Sequence, residues 1–244
     1  MSDWTLHLGD CLEGLAALPD KSVDHVITDP PYSARVHSKT MRSSPGAHGK
    51  WGGIAERRQL GFAHVTPEHM EALSAHVSRV TRRWTLIFCD LEIAHDWFSA
   101  GAAAGLEYVR TGVWVKPGAT PQFTGDRPAP GCEGVAIMHA KGRKRWNGGG
   151  GPAVWEFPPA YPHGEGRVHP AQKPVALMER LVRLFTDAGE TILDPFAGSG
   201  TTGVAAIRLG RKFIGWEKSP EYHAAAVRRL TAAREQLTIF GGAA

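Results

Sequence analysis

At 244 residues and 42% apolar composition the chain can bury one sizeable core, and its length favours one domain over two. A net charge of +4 fits a polyanionic partner without demanding one. The three cysteines, Cys11, Cys89 and Cys132, are too few and too far apart for a disulfide framework or a zinc knuckle, and the twelve histidines show no metal-site spacing, so no metal is predicted. No apolar span reaches membrane length and Met1-Ser2-Asp3-Trp4 has no leader character, which leads us to expect a soluble, cytoplasmic protein.

Short apolar segments alternate with helical patterns, the signature of an α/β fold with a mostly parallel sheet covered on both faces. A strand at Trp4 to Leu8 ends at Gly9-Asp10, a short helix follows over Leu12 to Leu18, and Val23 to Thr28 forms a second strand. The stretch from 33 to 65 lacks periodicity and reads as a mobile loop. It is basic: between Ser33 and Arg58 six basic residues, Arg35, Lys39, Arg42, Lys50, Arg57 and Arg58, face the single acid Glu56. Thr66-Pro67-Glu68 is a helix start that places Met70, Leu73 and Val77 on one face. Trp84 to Cys89 reads as a buried strand, Glu92 to Ala104 as a helix, Tyr108 to Val115 and Val135 to His139 as strands. Gly148 to Gly151 cannot hold regular structure. The second half restarts with a helix from Val175 to Phe185, a strand from Thr191 to Leu193, a helix reaching Leu209, a strand from Lys212 ending at Trp216-Glu217, and a helix from Pro220 to Gln236.

Asp29-Pro30-Pro31-Tyr32 closes the second strand and sets a carboxylate, a rigid carbonyl and an aromatic face side by side. The prolines give up their N–H groups, so the Pro30 carbonyl and Asp29 offer two acceptors to a planar amino group on which Tyr32 could stack. Taken alone, the same tetrapeptide also fits a strand followed by a Pro-Pro turn. After the Thr191 to Leu193 strand, Asp194-Pro195-Phe196-Ala197-Gly198-Ser199-Gly200-Thr201-Thr202-Gly203 contains the spacing G-x-G-x-x-G, with Glu217 ending the next strand. That spacing admits a dinucleotide and hence an NAD-dependent oxidoreductase. Asp194, however, puts a carboxylate where a pyrophosphate would approach, and Thr201 stands where a phosphate-binding loop carries lysine; a cationic ligand with a ribose and no phosphate suits the acids better.

These two motifs, in this order, closely resemble the DNA amino-methyltransferases that modify adenine N6 or cytosine N4, in the circularly permuted beta group whose catalytic half precedes the cofactor half. His169-Pro170-Ala171-Gln172-Lys173-Pro174 resembles that group's His-Pro-Thr-Gln-Lys-Pro element, with Ala171 departing from the usual threonine. The resemblance implies a single Rossmann-like methyltransferase domain over 1–244, with seven strands, one of them antiparallel and contributed by the last hairpin, and helices on both faces. It implies S-adenosyl-L-methionine (SAM) as cofactor. Asp29, Pro30, Pro31 and Tyr32 are then the catalytic motif, with Asp29 also bordering the cofactor. Asp194, Phe196, Ala197, Gly198, Ser199, Gly200 and Thr201 would hold the methionine portion, Glu217 the ribose with Lys218 beside it, Asp10 and Cys11 the adenine region, and Lys173 would neighbour the cofactor carboxylate. Double-stranded DNA is the implied partner and a homodimer is compatible with the group. The basic loop at 33–65, with Arg35, Lys39 and Arg42, is the first candidate for phosphate contacts, and Arg143, Lys144 and Arg145 the second. The segment at 139–169 is where the family carries target recognition. Asp rather than Ser at the head of the catalytic motif favours adenine N6, with cytosine N4 the alternative; from another class the runner-up is an NAD-dependent oxidoreductase using the G-x-G-x-x-G turn, and a catalytically silent DNA-binding module is the third option.

Overall fold

The structure is a computed structural model and describes residues 3–32, 65–119, 121, 125–160 and 172–241, the last four of these by backbone alone. Arg35, Lys39, Arg42 and His169, and with them the expected DNA-clamping loop, lie outside the described residues.

In chain order the elements are β1 (Trp4–Leu8), α1 (Cys11–Ala17), β2 (His25–Thr28), α2 (Pro67–Val80), β3 (Trp84–Cys89), a single 3-10 turn (Leu91–Ile93), α3 (Ala94–Ala103), β4 (Glu107–Val115), β5 (Cys132–His139), β6 (Val154–Glu156), α4 (Val175–Phe185), β7 (Thr191–Asp194), α5 (Thr201–Arg208), β8 (Lys212–Glu217) and α6 (Pro220–Gly241). All eight strands share one sheet in the order β1-β8-β7-β2-β3-β5-β4-β6. Only β5 runs against its neighbours, so the one antiparallel strand comes from the β4–β5 hairpin in mid-chain, while the last two strands, β7 and β8, pair in parallel. The eighth strand is additional to the seven expected: β6 extends the sheet past β4, inside the segment read as a target-recognition insertion. Three residues between a glycine run and a Pro-Pro pair carry too little alternation to announce a strand.

Alternation along the strands divides the core between the two faces. Ile27, Leu86, Phe88, Ile137, Ile192 and Phe213 pack with α4, α5 and α6 through Leu177, Leu181, Val204 and Leu230. Val26, Ile87, Cys89, Met138 and Leu193 pack with α1, α2 and α3 through Leu15, Leu73, Val77 and Trp97. Side chains of successive strand residues point to opposite faces, so a run such as Trp84–Cys89, buried at every position, belongs to a strand covered on both sides. Helices of the first half of the chain thus cover one face and those of the second half the other.

Thr66 caps α2 by accepting from the His69 amide at 3.3 Å, and Pro67 follows it, as the sequence indicates. At the other end of the sheet, α1 lies so close to β8 that a Cβ on Gly14 would come within 2.0 Å of the Trp216 indole nitrogen. Trp216 is also stacked on His7, ring centroids 4.7 Å apart, so it has nowhere to retreat. Substituting Gly14→Ala should therefore destabilise the fold by about 1–3 kcal/mol, in spite of the roughly 1 kcal/mol that alanine contributes to helix propensity. Chemical denaturation of the variant checks this, and unchanged stability would mean that α1 can move off Trp216 freely.

Candidate active site

Strand order brings β7 and β2 together at the centre of the sheet. From β7 the chain passes through α5 outward to β8; from β2 it passes through α2 outward to β3. This is a topological switch point, where open α/β sheets form a crevice at the carboxyl ends of their strands. Four acids stand there on four adjacent strands: Asp10 just beyond β1, Glu217 ending β8, Asp194 ending β7, and Asp29 just beyond β2. The two sequence motifs are joined directly, since the Thr28 hydroxyl donates to Asp194 Oδ1 at 2.8 Å.

Each acid is held differently. Asp194 is 2% exposed and its Oδ1 also accepts from the Phe196 amide at 3.0 Å. Burial pushes its carboxyl up to about 6, against the pull of hydrogen bonds from Thr202, Thr28 and Phe196. Burial likewise raises Glu217, whose Oε1 accepts from the Ser219 amide at 2.7 Å. Asp10 caps α1 through the Leu12 amide at 2.9 Å and is held below its ordinary range, first by that bond and then by Lys218, 3.3 Å away. Cys11, beneath Asp10, is a buried thiol pushed up to about 12 by desolvation and the neighbouring Asp10 charge, so it contributes packing rather than a thiolate.

The glycine turn runs between Asp194 and α5. Gly198 and Gly200 have φ of 52° and 78°, left-handed values that favour glycine. The space where a Gly198 side chain would stand is open, while at Gly200 a Cβ would meet Ala226 at 3.0 Å. The Ala197 amide donates to the Trp216 carbonyl at 2.8 Å, tying the turn to β8 beside Glu217. Arg229 on α6 donates to the Ser199 carbonyl at 2.5 Å and to the Ser199 and Thr201 hydroxyls at 2.9 and 3.2 Å, and Ser199 in turn donates to Gln172 at 3.1 Å. A backbone-lined opening flanked by buried carboxylates suits a cation with a sugar and has no place for a pyrophosphate.

On the β2 side the catalytic motif is wired into a charge cluster. Lys173, 8% exposed at its side chain, donates to Asp29 Oδ2 at 2.6 Å and to the Tyr32 hydroxyl at 2.9 Å, and pairs with Glu133 at 3.1 Å. Tyr32 donates to Glu133 at 2.5 Å, and Glu133 is paired on its other oxygen with Lys116. The second oxygen of Asp29, Oδ1, is buried and has no hydrogen-bond partner among the described residues. Burial raises the Asp29 carboxyl above its ordinary range, with Lys173 pulling it down and Glu133 pushing it up. Burial also pushes Glu133 up, but Lys173 and Lys116 together reverse this and hold it at about 2.

The structure thus brings together Asp29, Pro30, Tyr32, Asp194, Glu217, Asp10, Cys11, Lys218 and the 196–201 turn. Lys173, expected beside the cofactor carboxylate, is set against Asp29 and Tyr32, and its neighbour Gln172 reaches the glycine turn. Arg143, Lys144 and Arg145 are not brought to the site. Because β5 is antiparallel, His139 lies opposite Trp84, at the amino-terminal edge of the sheet, and the chain that follows stays there: Lys144 pairs with Glu107 and Arg145 with Asp187 at 3.1 Å. Glu133, Lys116 and Thr28 were not singled out by sequence; an acid opening an apolar strand was the available signal for Glu133. A separate cavity of about 200 Å³ against β6 and α4, lined by Trp146, Trp155, Phe157 and Arg180 among others, holds none of the four acids. Among the described residues no group of three or more His, Cys, Asp or Glu is arranged to hold a metal, and no helix is long and apolar enough to cross a membrane.

Sheet order, the antiparallel strand and the acids at the switch point together define the methyltransferase fold. Two solved structures share it: M1.HpyAVI in complex with SAM, at TM-score 0.70 and 24% identity over 93% of this chain and 98% of that one, and the cytosine-N4-specific PvuII DNA methyltransferase, at TM-score 0.72 and 18% identity over 97% and 93%. The sequence pattern of the N6/N4 DNA methylase family matches residues 138–228. The DNA adenine methyltransferase YhdJ of Escherichia coli (strain K12) is 32% identical over 253 residues, covering 94% of this chain and 83% of that protein. The chain belongs to this family of DNA methylases, which retires the dinucleotide reading of the glycine turn.

Asp194 gives a pH test with a defined sign. Its folded value near 6 lies above the ordinary 3.8, so between those values the folded chain binds more protons than the unfolded one, and the stability this acid contributes is full below pH 4 and lost as pH rises through 6. The difference in unfolding free energy between the protein and its Asp194→Asn variant should therefore shift against the unsubstituted protein by about 2 kcal/mol from pH 4 to pH 7. A pH-independent difference would place Asp194 in a solvated environment.

Proposed function

We propose that the protein transfers the methyl group of SAM to the N6 amino group of adenine in double-stranded DNA, on a base rotated out of the helix. The observation that carries this reading is the 2.8 Å hydrogen bond from Thr28 to Asp194, which makes one cleft of the amino-gripping motif and the acid-flanked glycine turn. SAM, when bound, supplies a methyl group activated by a positively charged sulfur. Asp194 and the turn from Phe196 to Thr201 would hold its methionine portion, Glu217 its ribose hydroxyls and Asp10 its adenine end; buried carboxylates and an opening free of side chains at Gly198 fit such a cation.

On the target side, Asp29 and the Pro30 carbonyl accept the two amino hydrogens, which draws the nitrogen lone pair out of the ring and makes it nucleophilic. Pro30 is buried, and the rings of Pro30 and Pro31 fix the φ angles on either side of its carbonyl. The buried, unpartnered Oδ1 of Asp29 is an acceptor of the kind this step needs, because leaving it unmade is costly until a donor arrives. Methyl transfer would leave the nitrogen positively charged until one of its two amino protons passes to solvent, and the Asp29 carboxylate, which accepts from that amino group, would stabilise the charge meanwhile. Tyr32 stacks on the extruded base, a contact worth about 1–3 kcal/mol in comparable sites. Most of the rate enhancement then comes from holding nitrogen and methyl donor in line.

Adenine is favoured by the aspartate heading the motif and by the description of YhdJ as a DNA adenine methyltransferase. Incubation with labelled SAM and mixed-sequence duplex DNA, followed by digestion to nucleosides and mass spectrometry, should yield N6-methyladenine. N4-methylcytosine would move the assignment to the other base, and no labelled nucleoside would remove it. Asp29→Ala should abolish transfer while leaving SAM binding, measured by calorimetry, largely intact; full activity in that variant would contradict the role given to Asp29.

A further inference from the structure

We infer that Glu133 is a positioning residue for methyl transfer: from the start of β5 it takes the Tyr32 hydroxyl and shares the Lys173 ammonium with Asp29, so that the stacking ring is fixed and one Asp29 oxygen stays available for the incoming amino group. The inference rests on the reading of Asp29 as acceptor given above. The three hydrogens of Lys173 are fully assigned. An ammonium has three hydrogens, and those of Lys173 go to Asp29 Oδ2 at 2.6 Å, the Tyr32 hydroxyl at 2.9 Å and Glu133 Oε2 at 3.1 Å. Because Lys173 donates to Tyr32, the single phenol hydrogen is directed to Glu133. Glu133 accepts that hydrogen at 2.5 Å, and Asp29 also lies within hydrogen-bonding reach of the hydroxyl, so Glu133 anchors the ring from its far end in competition with Asp29.

The charges close in the same way. Asp29 and Glu133 are balanced by Lys173 and Lys116 inside a shell of Phe88, Trp114 and Tyr32, with Lys173 Nζ 5.1 Å from the Phe88 and Tyr32 ring centroids. Remove the Glu133 charge and Lys173 has one carboxylate left, so it binds Asp29 more tightly and Asp29 becomes a poorer partner for the substrate amino group. Other groups face Asp29 too. Cys89 is a buried thiol raised to about 12 and stays neutral, and Asp194 across the cleft adds a like charge that Glu133 does not alter. Strand β5 is what makes the contact available: it runs antiparallel, so its first residues, and not its last, stand at the carboxyl edge beside β3.

Glu133→Gln keeps the side-chain shape and removes the charge; Glu133→Asp keeps the charge and shortens the reach. For Glu133→Gln, kcat should fall on the order of 10- to 100-fold, the cost of a catalytic group slightly misplaced, with SAM affinity by calorimetry unchanged. The acidic limb of its kcat–pH profile should move to lower pH, because Lys173 then holds Asp29 ionised without competition. Glu133→Asp should lose part of kcat with the limb at its original pH, and the Tyr32→Phe and Glu133→Gln losses should be less than additive when combined. If Glu133→Gln turns over at the unsubstituted rate, or loses rate with its pH limb unmoved while Glu133→Asp behaves identically, the charge has no positioning role and the inference is overturned. Retained activity in Asp29→Ala would instead overturn the acceptor reading beneath it, whatever the Glu133 variants do.

Discussion

Everything in the site depends on parallel strands ending side by side. Parallel pairing of β1, β8, β7 and β2 delivers their carboxyl ends to one edge at the spacing of neighbouring strands, about 5 Å. Four acids that are far apart in the chain therefore become neighbours, and the Thr28 to Asp194 hydrogen bond closes the join between the first half of the chain and the second. Unpaired carboxylates are expensive to bury, and Asp194 and Glu217 are both raised by burial. A fold that keeps such groups at a cleft, and lines the space above them with glycine backbone, is built to receive positive charge.

The two sides of the cleft solve this electrostatic problem in opposite ways. On the side of the glycine turn, Asp194 and Glu217 are satisfied by backbone amides and hydroxyls, which hold them in place and leave their charge for a cationic ligand. On the target side the acids carry internal counter-ions: Lys173 and Lys116 neutralise Asp29 and Glu133, leaving a local net charge close to zero. An exocyclic amino group is neutral until it reacts, so a site for it needs directed acceptors more than net negative charge. A firmly wired cluster with one unpartnered carboxylate oxygen supplies that.

Much of this was legible in the sequence. Apolar runs bounded by acids and glycines marked the strands, and Asp29-Pro30-Pro31-Tyr32 and Asp194 to Thr202 marked the cleft, because those residues are required by local chemistry wherever they occur. What was hidden depended on strand direction and pairing. Glu133 reads as an acid just outside a strand predicted to begin at Val135, yet the strand begins at Cys132 and Glu133 faces the cleft. Arg143, Lys144 and Arg145 read as the second candidate for phosphate contacts, and the reversal of β5 places them at the edge of the sheet opposite the cleft. Lys173 belongs to an element that precedes the second half of the chain, and its contact with Asp29, 144 residues away in sequence, is a product of the fold alone. Strand β6 was hidden for a simpler reason, its length of three residues.

A crystal structure of the protein with SAM bound tests the central arrangement most directly. The methionine portion should lie over the Gly198–Gly200 turn with its amino group at Asp194, the ribose hydroxyls on Glu217, and the methyl group facing the Asp29 carboxylate across the β7–β2 crevice. Density for SAM elsewhere, as in the cavity between Trp146 and Trp155, or a bound methyl group turned away from Asp29, would contradict it.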